Sequence, residues 1–508
     1  MATETFNLAE LIEQAPASAI FSKLDNERSS ILTRARDCSA LTIPSVLPAD
    51  GHTEETTLDT PYQGVGARLV NGLSSKLLLS LLPPNTSFFR LTIDQEIKEK
   101  AKTSEQGAKA LEEDELRLVM LEQEATRQIE KESLRVPSFE LFKSLIITGN
   151  ALGYKMEKGL KSYKLDQYVI QRDYEGNVID IVTKEMVGKD ALPKAVANAV
   201  EFESEETTDV TIYTRVVRKA DTWYEWQEVE DVLIPGSEAN YKLEETPYIP
   251  LRWTSVNGEN YGRGLVEQYL GDFRNLEGLY QLVIETAAVQ ARTIFGKVPG
   301  GLTDMEEFQD AVNGQVIYGN LEEDIVTSRV DKGADLQVPM ELVQILTRRL
   351  EQAFLSASSA VRDSERTTLG EIRYLANDLE ESLGGVHSIL AQEFQNPLAK
   401  ILLKNMDTSV NMEGLDLIIV TGVEALGRNN DIDKLRQLNS LIQELGSPEL
   451  VLQRMNIDNY ITDISKNLGL PQDRYIKGEQ QLAQEQQQAQ GQALEQQGAS
   501  NLVDKVTQ

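Results

Sequence analysis

From Leu265 to Ala287 apolar residues recur every three or four positions: Leu265, Tyr269, Phe273, Leu276, Tyr280, Val283 and Ala287. That spacing lines one stripe of an α-helix and predicts a long helix opening after Gly262. Roughly 28 helical residues span about 40 Å. A second stripe, Leu342, Ile345, Leu346, Leu350 and Phe354, predicts a helix from about Glu341 to Val361. The stretch between them is mixed and rich in turn signals (VPGGLTD, AVNGQVIYGN, DKGADLQVP). Two long helices flanking a compact insertion suggest an antiparallel pair with a small domain at its far end.

After the second helix comes a polar break, Arg362-Asp363-Ser364-Glu365-Arg366-Thr367. It has no apolar face to bury, so it must be exposed, to solvent or to a lumen. Another long helix follows, from Leu369 to about Asn405, with Ile372, Ala376, Leu379, Leu383, Val386 and Leu390 as its stripe. Pro397 inside it predicts a kink.

Upstream, residues 61–82 read as a packed helix ended by Pro83-Pro84, and residues 88–93 (FFRLTI) as a strand. Charged residues with helical spacing fill 95–132, and the helix over 139–149 closes on Gly149. From about 153 to 255 short β-branched and aromatic runs alternate with turns, interrupted by one helix near Leu192 to Val200. LDLIIVTG (415–422) reads as a strand and 430–468 as two or three helices. The glutamine-rich end has no apolar stripe and reads as a frayed helix or a disordered tail. The class is α+β, predominantly helical, and 508 residues imply two or more structural units.

With 81 acidic residues against 50 basic ones, the net charge is -31. A chain that grips DNA by its phosphates needs the opposite surplus. The same charge opposes adhesion to anionic membranes. An acidic wall beside DNA repels it and lets it slide. The first residues lack the basic and apolar regions of a signal peptide. The apolar run LLLSLL (77–82) is too short to cross a bilayer. Cys38 is the sole cysteine, so no intrachain disulfide can form, and a reducing setting is expected.

The chemistry of catalysis is largely missing. Two histidines, His52 and His387, and one cysteine nearly exclude a zinc site. His52 lies in a polar loop and His387 in a helix stripe, so both read as surface or packing residues rather than triad members. No G-x-x-x-x-G-K-[ST] loop occurs. Gly64-Val65-Gly66 has neither the third glycine nor the preceding strand of a dinucleotide turn. Asp378 with Glu380-Glu381 reads as a solvated helix face, not as a hydrolytic carboxylate pair. No cofactor is expected. Residue-level reading therefore stops at a non-enzymatic assembly protein.

Several segments carry a family likeness. They are TRARDCSALTIPSVLP (33–48), TPYQGVGARLVNGLSSKLLLSLLPP (60–84), YVIQRDYEGNV (168–178), YIPLRW (248–253), ENYGRGLVEQYLGDFRNLEGL (259–279), SERTTLGEIRYLANDLEESLGGVHSIL (364–390) and TGVEALGRNNDIDKL (421–435). In this order they resemble the portal, or head-to-tail connector, family of autographivirus-type short-tailed bacteriophages. The likeness runs along most of the chain and is weakest in 95–135, 295–340 and after 440.

The resemblance implies a ring of about twelve copies at one capsid vertex, closed by a head-to-tail interface, with double-stranded DNA passing along its axis. It implies a wing (1–260, with a long helix and returning strand over 368–428), a two-helix stem (262–291 and 341–361), a clip (292–340) and a crown (429–476). The tail, 477–508, is shorter and richer in glutamine than the family leads one to expect. The break at 362–367 corresponds to the tunnel loop, which projects toward the axis. Arg362, Glu365, Arg366 and Thr367 would then face DNA, the two arginines as rings of positive charge in an acidic tube. The implied partners are the major capsid protein and scaffold, the terminase large subunit, a tail adaptor and internal core proteins, with no membrane. The implied location is the virion's head-tail junction, after assembly in the host cytoplasm. Two rivals stand beside this reading: a helical scaffold or adaptor without a channel, and a nucleotide-driven motor, against which the missing phosphate loop argues.

Overall fold

The computed structural model describes residues 15–53, 55–84, 87–101, 103–188, 192, 209–291, 293–329, 336–356, 384–406, 415–419 and 440. The expected tunnel loop, the tail, nearly all of the crown and of the helix near Leu192 to Val200, and the start of the long wing helix lie outside these residues. Helices and strands are mixed. The chain divides into two compact units, 1–84 with 128–407, and 85–127 with 408–508.

The first unit opens with α1 (Ala17–Glu27), α2 (Ser29–Ala40) and α3 (Val65–Leu81). Helix α4 (Arg135–Thr148) ends on Gly149, whose φ of 79° is the left-handed cap expected from the sequence. Strands β1 (Asn150–Lys155) and β2 (Leu160–Tyr163) follow. Next come β3 (Tyr168–Arg172), β4 (Val178–Gly188), β5 (Asp209–Lys219), β6 (Thr222–Val229), β7 (Val232–Leu233), β8 (Ala239–Lys242) and β9 (Tyr248–Arg252). They form an antiparallel sheet β3-β4-β5-β6-β7, with β8 also on β6, and a three-stranded sheet β9-β1-β2.

Leu32, Leu152, Tyr168, Trp223, Tyr248 and Tyr261 share one core that α2 helps to close. Burying side chains of this size contributes about 2 kcal/mol each. The α1 end is fastened by a buried carboxylate: Glu228 accepts from the Ala17 N–H at 2.7 Å and from the Trp226 indole at 2.6 Å. A negative charge there also suits the positive end of the helix dipole. Lys155 and Glu132 form a buried ion pair at 2.7 Å.

In the second unit the strand Phe89–Ile93 pairs antiparallel with Leu415–Ile419, Leu91 opposite Leu417. The Glu122 carboxylate accepts the Leu91 N–H at 2.8 Å. Both strands were expected; their pairing was not legible, since they lie near opposite ends of the chain.

Pro397 lies in a helix that changes form just before it. A π-helical turn, Ala391–Gln395, comes first, and Pro397 sits in the first turn of the helix that follows, Asn396–Asn405. The wider π turn accommodates Pro397, which has no N–H to donate and would crowd an ordinary α turn.

Candidate functional site: the paired helices and their distal module

The long stripe after Gly262 folds as a short α5 (Leu265–Gln268), a break at Tyr269, and α6 (Leu270–Gln290). The return helix α9 runs Gln337–Ala353. Between them lie β10 (Thr293–Lys297), α7 (Met305–Gln309), α8 (Leu321–Asp324) and β11 (Ile325–Arg329). Helices α6 and α9 are antiparallel: Asp272, near the start of α6, meets Arg349, near the end of α9, at 3.2 Å. Phe354 packs on Phe273 edge-to-face, with centroids 5.8 Å apart.

The base of the pair is set by a crossing of backbones. A Cβ on Gly149 would stand 2.4 Å from the Gly264 nitrogen, and one on Gly264 2.8 Å from the Gly149 nitrogen. Only glycine permits such an approach. Asn150 seals it, accepting the Gly262 N–H at 2.7 Å and donating to the Gly262 carbonyl at 3.1 Å. So the helix pair springs from the same point at which α4 ends and β1 begins.

Helix α3 then clamps both members. The Glu277 carboxylate of α6 accepts from the N–H groups of Tyr62 (2.8 Å) and Gln63 (3.2 Å), just ahead of α3. Arg68 of α3 pairs with Glu351 of α9 at 2.8 Å. Lys76 donates to the Leu355 carbonyl.

The stripe predicted a helix through Val361. The observed stop is earlier and has a defined form, with residues 357–361 outside the described ones. Leu355 takes a left-handed φ of 55°. Its N–H donates to the Gln352 carbonyl (3.1 Å), and that of Ser356 to the Glu351 carbonyl (2.7 Å). This is a Schellman cap with leucine where glycine is usual. A β-carbon in that conformation costs roughly 1–2 kcal/mol.

Away from the base the pair loses its cover. Phe273 and Leu276 are buried, but Leu282, Ile284 and Val289 on α6 are exposed, as are Val338, Met340, Leu342 and Ile345 on α9. Leu282 and Val289 share one face of α6, and Val338, Leu342 and Ile345 one face of α9, rows of the kind that association covers.

The distal module hangs on one carboxylate. Asp324 Oδ2 accepts from the N–H groups of Leu302 and Thr303 and from the Thr303 hydroxyl, each at 2.8 Å. The hydroxyl first, then these amides, hold its pKa below the ordinary value. Gly301 fits against it because a Cβ there would stand 2.7 Å from the carboxylate. Phe295 and Phe308 stack edge-to-face at 5.3 Å. Beyond this knot, Leu302 is 86% exposed and Val316 and Tyr318 are 90% exposed. Residues 311–320 carry no ionised side chain, although the chain as a whole is 26% charged.

Arg362, Glu365, Arg366 and Thr367 lie outside the described residues. Sequence reasoning found the helix pair and the module. It missed the clamp, because nothing local to α9 announces Arg68 or Lys76. Among the described residues no group of three His, Cys, Asp or Glu side chains is arranged to hold a metal ion. No helix there is long and apolar enough to cross a membrane.

Long helices, a backbone-locked base and exposed apolar side chains are the features of this site. The chain belongs to the family of bacteriophage head to tail connecting proteins, which it matches over residues 14–476. It is 38% identical over 455 residues to the portal protein of Enterobacteria phage T3, covering 86% of this chain and 84% of that one. To the portal protein of Enterobacteria phage SP6 it is 31% identical over 510 residues, covering 96% of each. A chain from the virion of a native gene transfer agent particle matches with a TM-score of 0.35 and 11% identity, over 80% of this chain and 90% of that one. That score is too low to define a common arrangement.

Proposed function

We infer that this chain is a phage portal protein, a ring-shaped conduit for double-stranded DNA at one capsid vertex that serves packaging, retention and ejection. Family membership gives the class. The open apolar surface of α6 and α9 is the observation that carries the ring, since neighbouring copies would cover what one chain leaves bare. About twelve copies would close it, and mass photometry should find a species near twelve times 56.7 kDa. A stable monomer at micromolar concentration would count against the reading. It would also favour a helical scaffold without a channel.

In this reading residues 262–291 and 341–361 form the stem, 292–340 the clip, 1–260 with 368–428 the wing and 429–476 the crown. The clip would receive the terminase large subunit and later the tail adaptor. The exposed, uncharged segment 311–320 supports this. The wing and crown would meet the major capsid protein, scaffold and internal core proteins. Deleting 301–320 should leave the ring intact and abolish adaptor capture in a pull-down.

The segment 362–367 would line the narrowest part of the channel. Arg362 and Arg366 would offer phosphates a repeated, weak grip, with Glu365 and Thr367 beside them. Replacing both arginines with alanine should preserve the ring and reduce the DNase-protected genome per particle. Unchanged retention would remove them from the mechanism.

A further inference from the structure

Two arginines in the first unit lie side by side with one carboxylate, Glu393, bonded to only one of them. Arg252 gives Nε (3.2 Å) and Nη2 (2.7 Å) to Glu393 Oε1, and its own N–H to Oε2 at 2.9 Å. Arg172 donates Nε to the Asn260 carbonyl (3.1 Å) and Nη1 to the Gly176 carbonyl (3.0 Å). Among the described residues it has no ion-pair partner. Burial first, then the neighbouring Arg252 charge, lowers its pKa to about 10. Among the described residues, neither Arg172 Nη2 nor Arg252 Nη1 has a hydrogen-bond acceptor.

Both arginines line one cleft, between the 173–176 turn and the 255–260 loop. A Cβ on Gly176 would stand 3.7 Å from Arg252 Nη1, which places that nitrogen beside the turn. The carboxylates on the cleft walls bond to groups other than Arg172 and Arg252. Asp173 accepts the N–H groups of Glu175 (2.9 Å) and Asn177 (2.8 Å). Glu259 binds Arg263 at 2.8 Å, and Glu175 accepts the Tyr174 hydroxyl at 2.9 Å. The exposed loop residues Ser255 and Asn257 add polar groups at the rim.

We propose that this cleft is an oxyanion site, in which a phosphate-type or carboxylate group bridges Arg172 Nη2 and Arg252 Nη1. Paired guanidinium donors suit such a group in number and in charge, and a bound anion relieves the repulsion between them. The group has two possible sources: a free phosphate ion, or a carboxylate presented by a second copy of this chain. The second source rests on the ring reading.

The test is isothermal titration of the intact protein with inorganic phosphate, ionic strength held constant with chloride. Mass photometry of each variant is run beside it. A free ion predicts saturable uptake, weakened about tenfold or more by Arg172→Met, which removes the fork. Asn257→Asp should weaken it similarly by setting a tethered carboxylate in the cleft. A neighbour's carboxylate predicts no uptake by the assembled protein and loss of the high-mass species in both variants. Asn257→Asp replaces an exposed side chain, so it separates the site from a folding defect in Arg172→Met. Uptake that neither variant changes overturns the proposal, as does absent uptake with unaltered assembly. The wild-type mass, read in the same run, distinguishes failure of the ring reading from failure of the site.

Discussion

The Lys76 ammonium on α3 holds the carbonyl of Leu355, the left-handed residue at which α9 stops. The stop is therefore imposed by a distant helix as well as by the local chain. Leu355→Gly should remove the left-handed cost, leaving stability unchanged or raising it by up to about 1 kcal/mol. Leu355→Val should lower it, because β-branching makes that conformation harsher. Thermal melts that rank valine above glycine would show that the leucine carries no strain.

Gly149 and Gly264 should tolerate nothing larger. Alanine at either must push two backbones apart, and at 149 it must also adopt a φ of 79°. Each substitution should cost about 2 kcal/mol or more in chemical denaturation. Alanine at Gly278, with open space around it, is the control and should cost nothing or stabilise.

Lys155→Met should be severe, about 3–5 kcal/mol, because it leaves Glu132 buried without its cation. Burial raises the Glu132 carboxyl, but Lys155, Gln128 and the Gly159 N–H outweigh it and bring the pKa below 4.5. A depressed carboxyl contributes stability above its unfolded value and loses it as pH falls through the folded one. The gap between wild type and variant should therefore narrow below about pH 4.5 in urea melts.

Cys38 should be inert while the protein is folded. Burial first, then the charges of Glu267 and Asp37, push its thiol up to about 12. At pH 8 a disulfide reagent should label it only after denaturant is added, since the thiolate is the reactive form. Rapid labelling of folded protein would contradict the burial of α2.

Asp324→Ala should loosen the distal module without disturbing the helix pair. Three donors lose one acceptor, and the Leu302 loop should become the first site of proteolysis. Helicity by circular dichroism should stay unchanged.

Much of the fold was legible where the signal is local. Gly149 announced the end of α4, the Phe89–Ile93 strand lay where its alternation put it, and the α6 and α9 stripes marked the helix pair. What sequence could not give is long-range. The α9 stop answers to Arg68 and Lys76, the partner of Phe89–Ile93 lies at Leu415–Ile419, and Arg172 meets Arg252 only through folding. Pro397 marked a departure from regular α geometry, which the structure takes as a π turn at Ala391–Gln395. The proposed tunnel loop, 362–367, by contrast, was named from its polarity and its family likeness alone.

The pairing of Phe89–Ile93 with Leu415–Ile419 also sets a schedule for the ribosome. Synthesis runs at about 5–20 residues per second, so the first strand waits roughly half a minute for its mate. During that wait its hydrogen-bonding edge is open and its apolar face uncovered, a template for the wrong chain. Nascent copies on one crowded message are each other's nearest neighbours. In the ring reading, the completed protein associates with its own kind, and the unfinished one must avoid doing so. In that reading, the late pairing of these two strands marks when a copy is ready to assemble.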